Sequence, residues 1–61
     1  MDNQEMRSLK ERLGLGNFKI NLKTGVHYGV VEDFFSGKTD TLDEKDRAKI
    51  ESLLRAEAKK H

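Results

Sequence analysis

Apolar residues recur at the spacing i, i+3 and i+7 in the first segment of the chain: Met6, Leu9 and Leu13. This spacing is typical of an amphipathic helix and predicts a first helix over residues 2–13. Asp2 and Asn3 are candidate N-caps, because their short side chains can accept hydrogen bonds from the free backbone N–H groups of a first turn. Gly14 follows the pattern directly, at a position where a glycine commonly ends a helix.

A longer helical pattern occupies the last third of the chain. Thr41 and Glu44 have the spacing of a capping box, in which each side chain accepts a hydrogen bond from the other residue's backbone N–H. Residues 42–60 then predict one uninterrupted helix with three apolar residues on one side: Ile50, Leu53 and Leu54. The next position in register is Glu57, so the pattern predicts solvated last turns. Residues 55–61 are expected to form a frayed, basic end.

Glycines divide the middle of the chain into two short helical segments. Asn17 is a candidate N-cap for a second helix over residues 18–24, which ends at Gly25. A third helix is predicted over residues 27–36, and Gly37 follows it. The sequence has no proline, so only glycine interrupts these patterns. Together the patterns predict an all-α domain of four helices.

A β-hairpin is the alternative for part of this region. Residues 17–23 and 25–31 contain β-formers, and residues 18–23 alternate apolar with polar side chains. Periodicity alone leaves open a small hairpin combined with two helices. The glycines favour four helices, because they fall where helix ends need them.

The third predicted helix separates into an apolar and a polar side. At about 100° per residue, one side collects the apolar residues Val30, Val31, Phe34 and Phe35. The opposite side collects Tyr28, Gly29, Glu32 and Asp33. The first group is predicted to be core. The second is either an ordinary solvated face or a surface that recognises a partner.

Composition limits the kind of function. The chain has 61 residues, 34% of them hydrophobic and 38% charged, and a chain of about 60 residues buries only about 60% of its unfolded surface. Such a domain has no room for both a core and an enclosed active site, so an enzyme is not expected. No apolar run approaches the length of a membrane span and no charged-then-apolar leader is present, so we expect a soluble protein that does not enter a membrane. The net charge of +1 is low for a nucleic-acid-binding domain, so the distribution of charge matters more than its sum.

The chemistry of cofactors and metals has little support in the sequence. Cysteine is absent, and His27 and His61 are the only histidines, with no convincing second ligand at helical spacing from either. Glu32 and Asp33 are adjacent, so on a helix their side chains diverge by about 100° and do not form a catalytic pair. No phosphate-binding glycine loop is present. We therefore expect no metal site, no cofactor and no catalytic residue.

Several short motifs occur in one register between Leu13 and Leu54. They are LGL at Leu13–Leu15, an apolar residue at Ile20, KTGV at Lys23–Val26, Val31 and Phe34, GK at Gly37–Lys38, and K-I-x-x-L-L at Lys49–Leu54. In this combination the chain resembles the lambda repressor/Cro-like (Xre-type) helix-turn-helix DNA-binding family, over about two-thirds of its length. The resemblance implies one helix-turn-helix domain over residues 1–61, with Gly25 in the turn and the helix from His27 to Ser36 as the recognition helix.

The resemblance also implies roles for individual residues. Base edges would be read by Tyr28, Gly29, Glu32 and Asp33. Backbone phosphates would be contacted by Asn17 and Lys38, with Lys19 and Lys23 flanking the site. His27 stands where the family usually has a Ser or Thr that caps the recognition helix. Asn21 replaces a habitual Ala, so it is expected to be partly exposed or to form a local hydrogen bond.

The acidic residues on the predicted recognition helix leave two functions open. A carboxylate can accept a hydrogen bond from cytosine N4, so Glu32 and Asp33 are compatible with sequence-specific reading of double-stranded DNA. The resemblance then implies a small transcriptional regulator in the cytoplasm of a bacterial or phage-infected cell, binding a palindromic operator as a homodimer through the fourth helix or the loop before it. The alternative is a protein-interaction module on the same scaffold, whose acidic helix face binds and inhibits another protein.

Overall fold

Four α-helices follow one another in the computed structural model, which describes residues 1–60. They are α1 (Asn3–Leu13), α2 (Asn17–Thr24), α3 (Tyr28–Ser36) and α4 (Glu44–Lys59). The prediction of an all-α, four-helix fold is confirmed. No strand forms in the described residues, so the hairpin alternative is wrong. His61, one of the two histidines and the last residue of the predicted basic end, lies outside the described residues.

The core lies where the four helices meet. Eight hydrophobic side chains are buried there: Met6, Leu15, Ile20, Val26, Val31, Phe34, Ile50 and Leu54. α1 packs against α4, and α2 packs against both α3 and α4. The apolar sides predicted from helical spacing are therefore the sides that are buried. α2 contacts both α3 and α4, so it fixes the position of α3 relative to α4.

The start of α1 is stabilised by a capping box that sequence spacing predicted only in part. The backbone N–H of Glu5 donates to Oδ1 of Asp2 over 2.8 Å, and the backbone N–H of Asp2 donates to Oε1 of Glu5 over 3.1 Å. Asp2 is thus the N-cap, as one of the two predicted candidates. Gly14 ends the helix with a φ of 66°, which a glycine adopts without the clash of a Cβ.

The start of α2 differs from the prediction. Gly16, not Asn17, is the N-cap, and Asn17 is the first helical residue. The backbone takes its extended N-cap geometry at Gly16, directly after the buried Leu15. The N-cap thus follows a core residue directly, and Asn17 enters the helix instead of capping it.

The start of α4 also differs from the prediction. Asp43 is the N-cap, and its Oδ2 accepts a hydrogen bond from the backbone N–H of Lys45 over 3.2 Å. The capping box predicted at Thr41 does not form. A helix beginning at Thr41 would place Leu42 about 80° from Ile50 around the axis of α4. In the extended segment before the helix, Leu42 instead packs against the core.

The end of α4 is mostly exposed, as predicted, but Glu57 is an exception. Glu57 is buried, with 6% of its surface exposed, and is the one buried charged residue within residues 1–60. Its carboxylate lies between two ammonium groups, those of Lys19 and Lys60. The break in the apolar stripe therefore marks a paired charge and not the end of the packed surface.

Two arginines join segments that are far apart in the sequence. Nε of Arg7 donates to the carbonyl of Phe34, and its Nη2 donates to the carbonyl of Thr39 and to Oδ1 of Asp40, each over 3.0 Å. The same guanidinium lies 4.6 Å from the centre of the Phe34 ring. Arg47 of α4 plays a similar part for the N-terminus, since it donates to the carbonyl of Met1 over 2.6 Å.

Candidate nucleic-acid interface

The connection between α2 and α3 is a short turn held by side chains of α2. Gly25 ends α2 with a φ of 76°. Nδ2 of Asn21 donates to the carbonyl of Val26 over 2.7 Å, and Oγ1 of Thr24 accepts from the N–H of Val26 over 3.1 Å. The expectation of a local hydrogen bond from Asn21 is confirmed. Val26 is buried, so the turn is anchored both by hydrogen bonds and by the core.

His27 caps α3 in place of the hydroxyl residue that the resemblance led us to expect there. Its Nδ1 accepts a hydrogen bond from the backbone N–H of Gly29 over 3.0 Å. α3 itself begins at Tyr28, one residue later than predicted. A Cβ built on Gly29 would lie 3.2 Å from the same Nδ1, so the absence of a side chain at Gly29 makes room for the capping imidazole.

The two sides of α3 have the environments that helical spacing predicts. Val31 and Phe34 are fully buried, and Val30 and Phe35 are partly buried against the core. On the outer side Glu32 is exposed, Asp33 and Gly29 are partly exposed, and Tyr28 is 42% exposed. The four residues assigned to base reading therefore do lie on one accessible side of a single helix. Glu32 forms no ion pair with another residue in the range 1–60.

Lys38 is held close to this outer side by the end of α3. Gly37 has a φ of 88°, its N–H donates to the carbonyl of Phe34, and the N–H of Lys38 donates to the carbonyl of Asp33 over 2.9 Å. These two bonds form a Schellman motif. Nζ of Lys38 lies 4.0 Å from Oδ1 of Asp33, with both side chains largely in solvent. Such a surface pair contributes little to stability, so either group can turn to a partner.

The start of α2 presents backbone donors. No side chain accepts from the N–H groups of its first turn, because the N-cap is Gly16. Oδ1 of Asn17 is buried without a hydrogen-bond partner among residues 1–60. Free N–H groups at a helix N-terminus, together with the helix dipole, favour an anion. The start of α2 is therefore suited to an anion through its backbone N–H groups, whereas Oδ1 of Asn17 is an acceptor and does not contribute.

Lys19 and Lys23 lie on a different side of α2. Nζ of Lys19 is 3.8 Å from Oε1 of Glu57, and Lys23 lines a groove between α2 and α4. Asn21, by contrast, reaches the turn before α3. The structure thus places His27, Tyr28, Gly29, Glu32, Asp33 and Lys38 on α3 or at its ends, Asn17 at the start of α2, and Lys19 and Lys23 toward α4.

Sequence reasoning missed two exposed apolar residues on α2. Phe18 and Leu22 are 64% and 66% exposed and stand at i and i+4, so they share one side of the helix. The alternation of residues 18–23 is the sequence feature that contains these two residues, and it is also typical of a strand. On a helix, the same letters give two apolar residues on the outward side.

Two further features concern metals and membranes. Within residues 1–60, no three His, Cys, Asp or Glu side chains are grouped so that they could hold a metal ion. None of the helices in this part of the chain is both long enough and apolar enough to cross a membrane.

Comparison with protein-family models, with curated proteins and with solved structures finds no match to this chain.

Proposed function

We propose that this protein is a small sequence-specific DNA-binding regulator of the lambda repressor/Cro type, in which α2, the turn at Gly25 and α3 form a helix-turn-helix. The observation that carries the proposal is the accessible side of α3. It combines Tyr28, Glu32 and Asp33 on a helix whose other side is buried in the core. A helix fixed in this way can enter the major groove, which is wide enough to admit it.

The roles of the residues follow from their chemistry. Glu32 and Asp33 can accept a hydrogen bond from cytosine N4, and Tyr28 can donate to a phosphate or lie against a thymine methyl. Gly29 has no side chain to contact a base, and the space that a Cβ would need is taken by the capping imidazole of His27. The N–H groups at Asn17 and the ammonium of Lys38 are available to neighbouring phosphates.

The small number of phosphate partners favours a dimer. With Lys19 engaged by Glu57, few cations remain near α3, so one copy is expected to bind weakly. Two copies on a palindromic operator double the contacts. The loop before α4 suits the two-fold contact better than α4 itself, whose outward side repeats the same positive charge in each copy: Lys45, Lys49 and Lys59. The setting we propose is the cytoplasm of a bacterial or phage-infected cell.

The direct test is titration of the protein with random duplex DNA at about 20 mM and about 150 mM salt. DNA binding predicts a measurable affinity at low salt whose logarithm falls with the logarithm of salt concentration, by about 0.9 per neutralised phosphate. Absence of binding at the lower salt concentration contradicts the proposal. Selection of sites from a random duplex pool then identifies the operator.

The second candidate function is inhibition of another protein by the acidic side of α3. It is favoured by Glu32, which has no cationic partner within residues 1–60, and by the exposed pair of Asp33 with Lys38. A basic partner surface would find both carboxylates accessible.

One pair of variants separates the two functions. Under DNA reading, Glu32→Gln with Asp33→Asn strengthens non-specific duplex binding and relaxes site preference. Under the alternative, the same change abolishes partner binding and leaves DNA binding absent. Glu11→Gln with Glu44→Gln is the matched control, because it removes two exposed carboxylates from α1 and α4. Equal effects of the two pairs would show only a dependence on net charge.

A further inference from the structure

A groove of about 520 Å³ runs between the C-terminal end of α2 and α4. α4 lines it with short side chains at i, i+4 and i+8, namely Ala48, Ser52 and Ala56. Leu53 adds a partly buried apolar surface. Lys23 and Thr24 from α2 and Lys49 from α4 complete the lining. The groove is therefore apolar at its centre and carries a cation from each of the two helices.

The charges of this groove are not compensated by the protein itself. Lys23 and Lys49 form no ion pair with a side chain of residues 1–60. Asp46 lies one turn before Lys49 on α4 without pairing to it, and the buried carboxylate of Glu57 is shared by Lys19 and Lys60. The groove thus presents positive charge to whatever covers it.

We propose that the groove between α2 and α4 binds an acidic amphipathic α-helix of a partner protein. Short side chains on α4 permit a second helix to pack closely, because the distance between helix axes depends on the side chains at the contact. The apolar side of the partner covers Leu53, and its carboxylates pair with Lys23 and Lys49. This is helix-in-groove recognition with added charge complementarity.

Other occupants match the groove less well. A second copy related by a two-fold axis would bring Lys49 toward its own equivalent, which is repulsive. A nucleic-acid backbone would use the lysines but leave the apolar centre of the groove without a matching surface. The exposed side chains of Phe18 and Leu22 lie about 100° from Lys19 and Lys23 around the axis of α2. A longer partner can therefore also cover these two apolar side chains.

The test measures binding of a labelled peptide by fluorescence anisotropy. The probe is a helical peptide of about 16 residues made of Leu, Ala and Glu, with Leu at i, i+3, i+4 and i+7 and Glu on both flanks. We expect saturable binding that Lys49→Glu weakens by about fivefold to tenfold. Ser52→Gln, which fills the centre of the groove without changing charge, is expected to weaken it by a similar factor.

Matched controls keep the result specific. Arg12→Glu makes the same change of net charge on α1, and Ser8→Gln makes the same substitution on an exposed position of α1, so both are expected to leave binding within about twofold. A peptide with Lys in place of Glu is expected not to bind. Circular dichroism of each variant confirms that the helices are retained.

Several outcomes overturn the proposal. They are absence of peptide binding, equal loss with Arg12→Glu, or equal binding of the Lys peptide. If duplex or single-stranded DNA binds more tightly than the acidic peptide, and Lys49→Glu abolishes that binding, the groove is assigned to nucleic acid. Self-association that Lys49→Glu abolishes, measured by sedimentation, assigns it to a second copy. Since Lys49 and Ser52 are outside the α3 surface, these results are independent of whether α3 binds DNA.

Discussion

Nζ of Lys19 on α2 lies 3.8 Å from Oε1 of Glu57 on α4, and the Glu57 side chain is only 8% exposed while that of Lys19 is 52% exposed. The resemblance implies that Lys19 flanks a DNA site, and the helical pattern predicts that Glu57 is in solvent. In the structure the two residues instead form a pair. It holds the end of α4 against the start of α2. It also gives α4 an electrostatic link to the helix that precedes the turn.

The energetic role of Glu57 can be measured with two substitutions. Glu57→Leu keeps the volume and removes a charge from a buried position, so it is expected to be neutral or to stabilise by up to about 1 kcal/mol, because Lys19 stays solvated. Glu57→Ala removes packing as well and is expected to destabilise by about 1–2 kcal/mol. Urea unfolding gives both values. Glu44→Leu and Glu44→Ala serve as exposed controls and should differ little, whereas a Leu variant at Glu57 less stable than the Ala variant would contradict the prediction.

His27 and Gly29 are expected to be coupled. Gly29→Ala gains up to about 1 kcal/mol of helix propensity, but its Cβ would press on Nδ1 of the imidazole at 3.2 Å. In a His27→Ser background that contact is absent and the serine still caps, so the full gain is expected. A double-mutant cycle from thermal unfolding should give a coupling of about 0.5–1 kcal/mol. Additivity of the two changes would mean that the imidazole moves aside freely.

The start of α4 offers a direct comparison of two candidate caps. Asp43→Ala is expected to destabilise the protein by about 1 kcal/mol, because the N–H of Lys45 loses its acceptor. Thr41→Ala is expected to change the free energy of unfolding by less than about 0.5 kcal/mol, since Thr41 lies before the helix. Denaturant unfolding of both variants checks the order. A larger loss of stability in Thr41→Ala than in Asp43→Ala would instead indicate that Thr41 and Glu44 form the capping box that their spacing predicts.

Arg7 is expected to control the end of α3. Arg7→Lys cannot reach Phe34, Thr39 and Asp40 together, because an ammonium is a single point of contact, so a loss of about 1–3 kcal/mol is expected. Amide hydrogen exchange at Lys38 and Thr39 should become faster in this variant, since both N–H groups donate to the end of α3. Arg12→Lys is the control on an exposed position of α1. Unchanged exchange at Lys38 would show that α3 ends independently of Arg7.

The exposed acidic side of α3 was predictable from local pattern alone. Helical spacing places Val31 and Phe34 opposite to Glu32, and burial of one side leaves the other in solvent whatever the neighbours are. The glycines after three of the helices were predictable for a similar reason. Gly14, Gly25 and Gly37 have positive φ, a conformation that glycine adopts at low cost and that commonly ends a helix.

Contacts between distant segments were not predictable in this way. The cap of α4 moved from Thr41 to Asp43 because Leu42 reaches the core, and the cap of α2 moved to Gly16 next to the buried Leu15. At both helix starts a neighbouring leucine, Leu42 or Leu15, packs in or against the core that several helices share. Local capping preferences of about 1 kcal/mol are too small to oppose this packing.

The sequence by itself therefore favoured four helices and determined the apolar sides of α1, α3 and α4 and where three of the helices end, because these depend on spacing and on the conformations open to each residue. Only the tertiary structure decided which charges meet. It buried Glu57 beside Lys19, placed Lys23 and Lys49 in the lining of one groove, and left Glu32 without a partner in residues 1–60. The physical reason is that ion pairing between helices requires the charged atoms to lie within a few ångström of each other. The spacing of residues along one helix does not determine its distance from another helix.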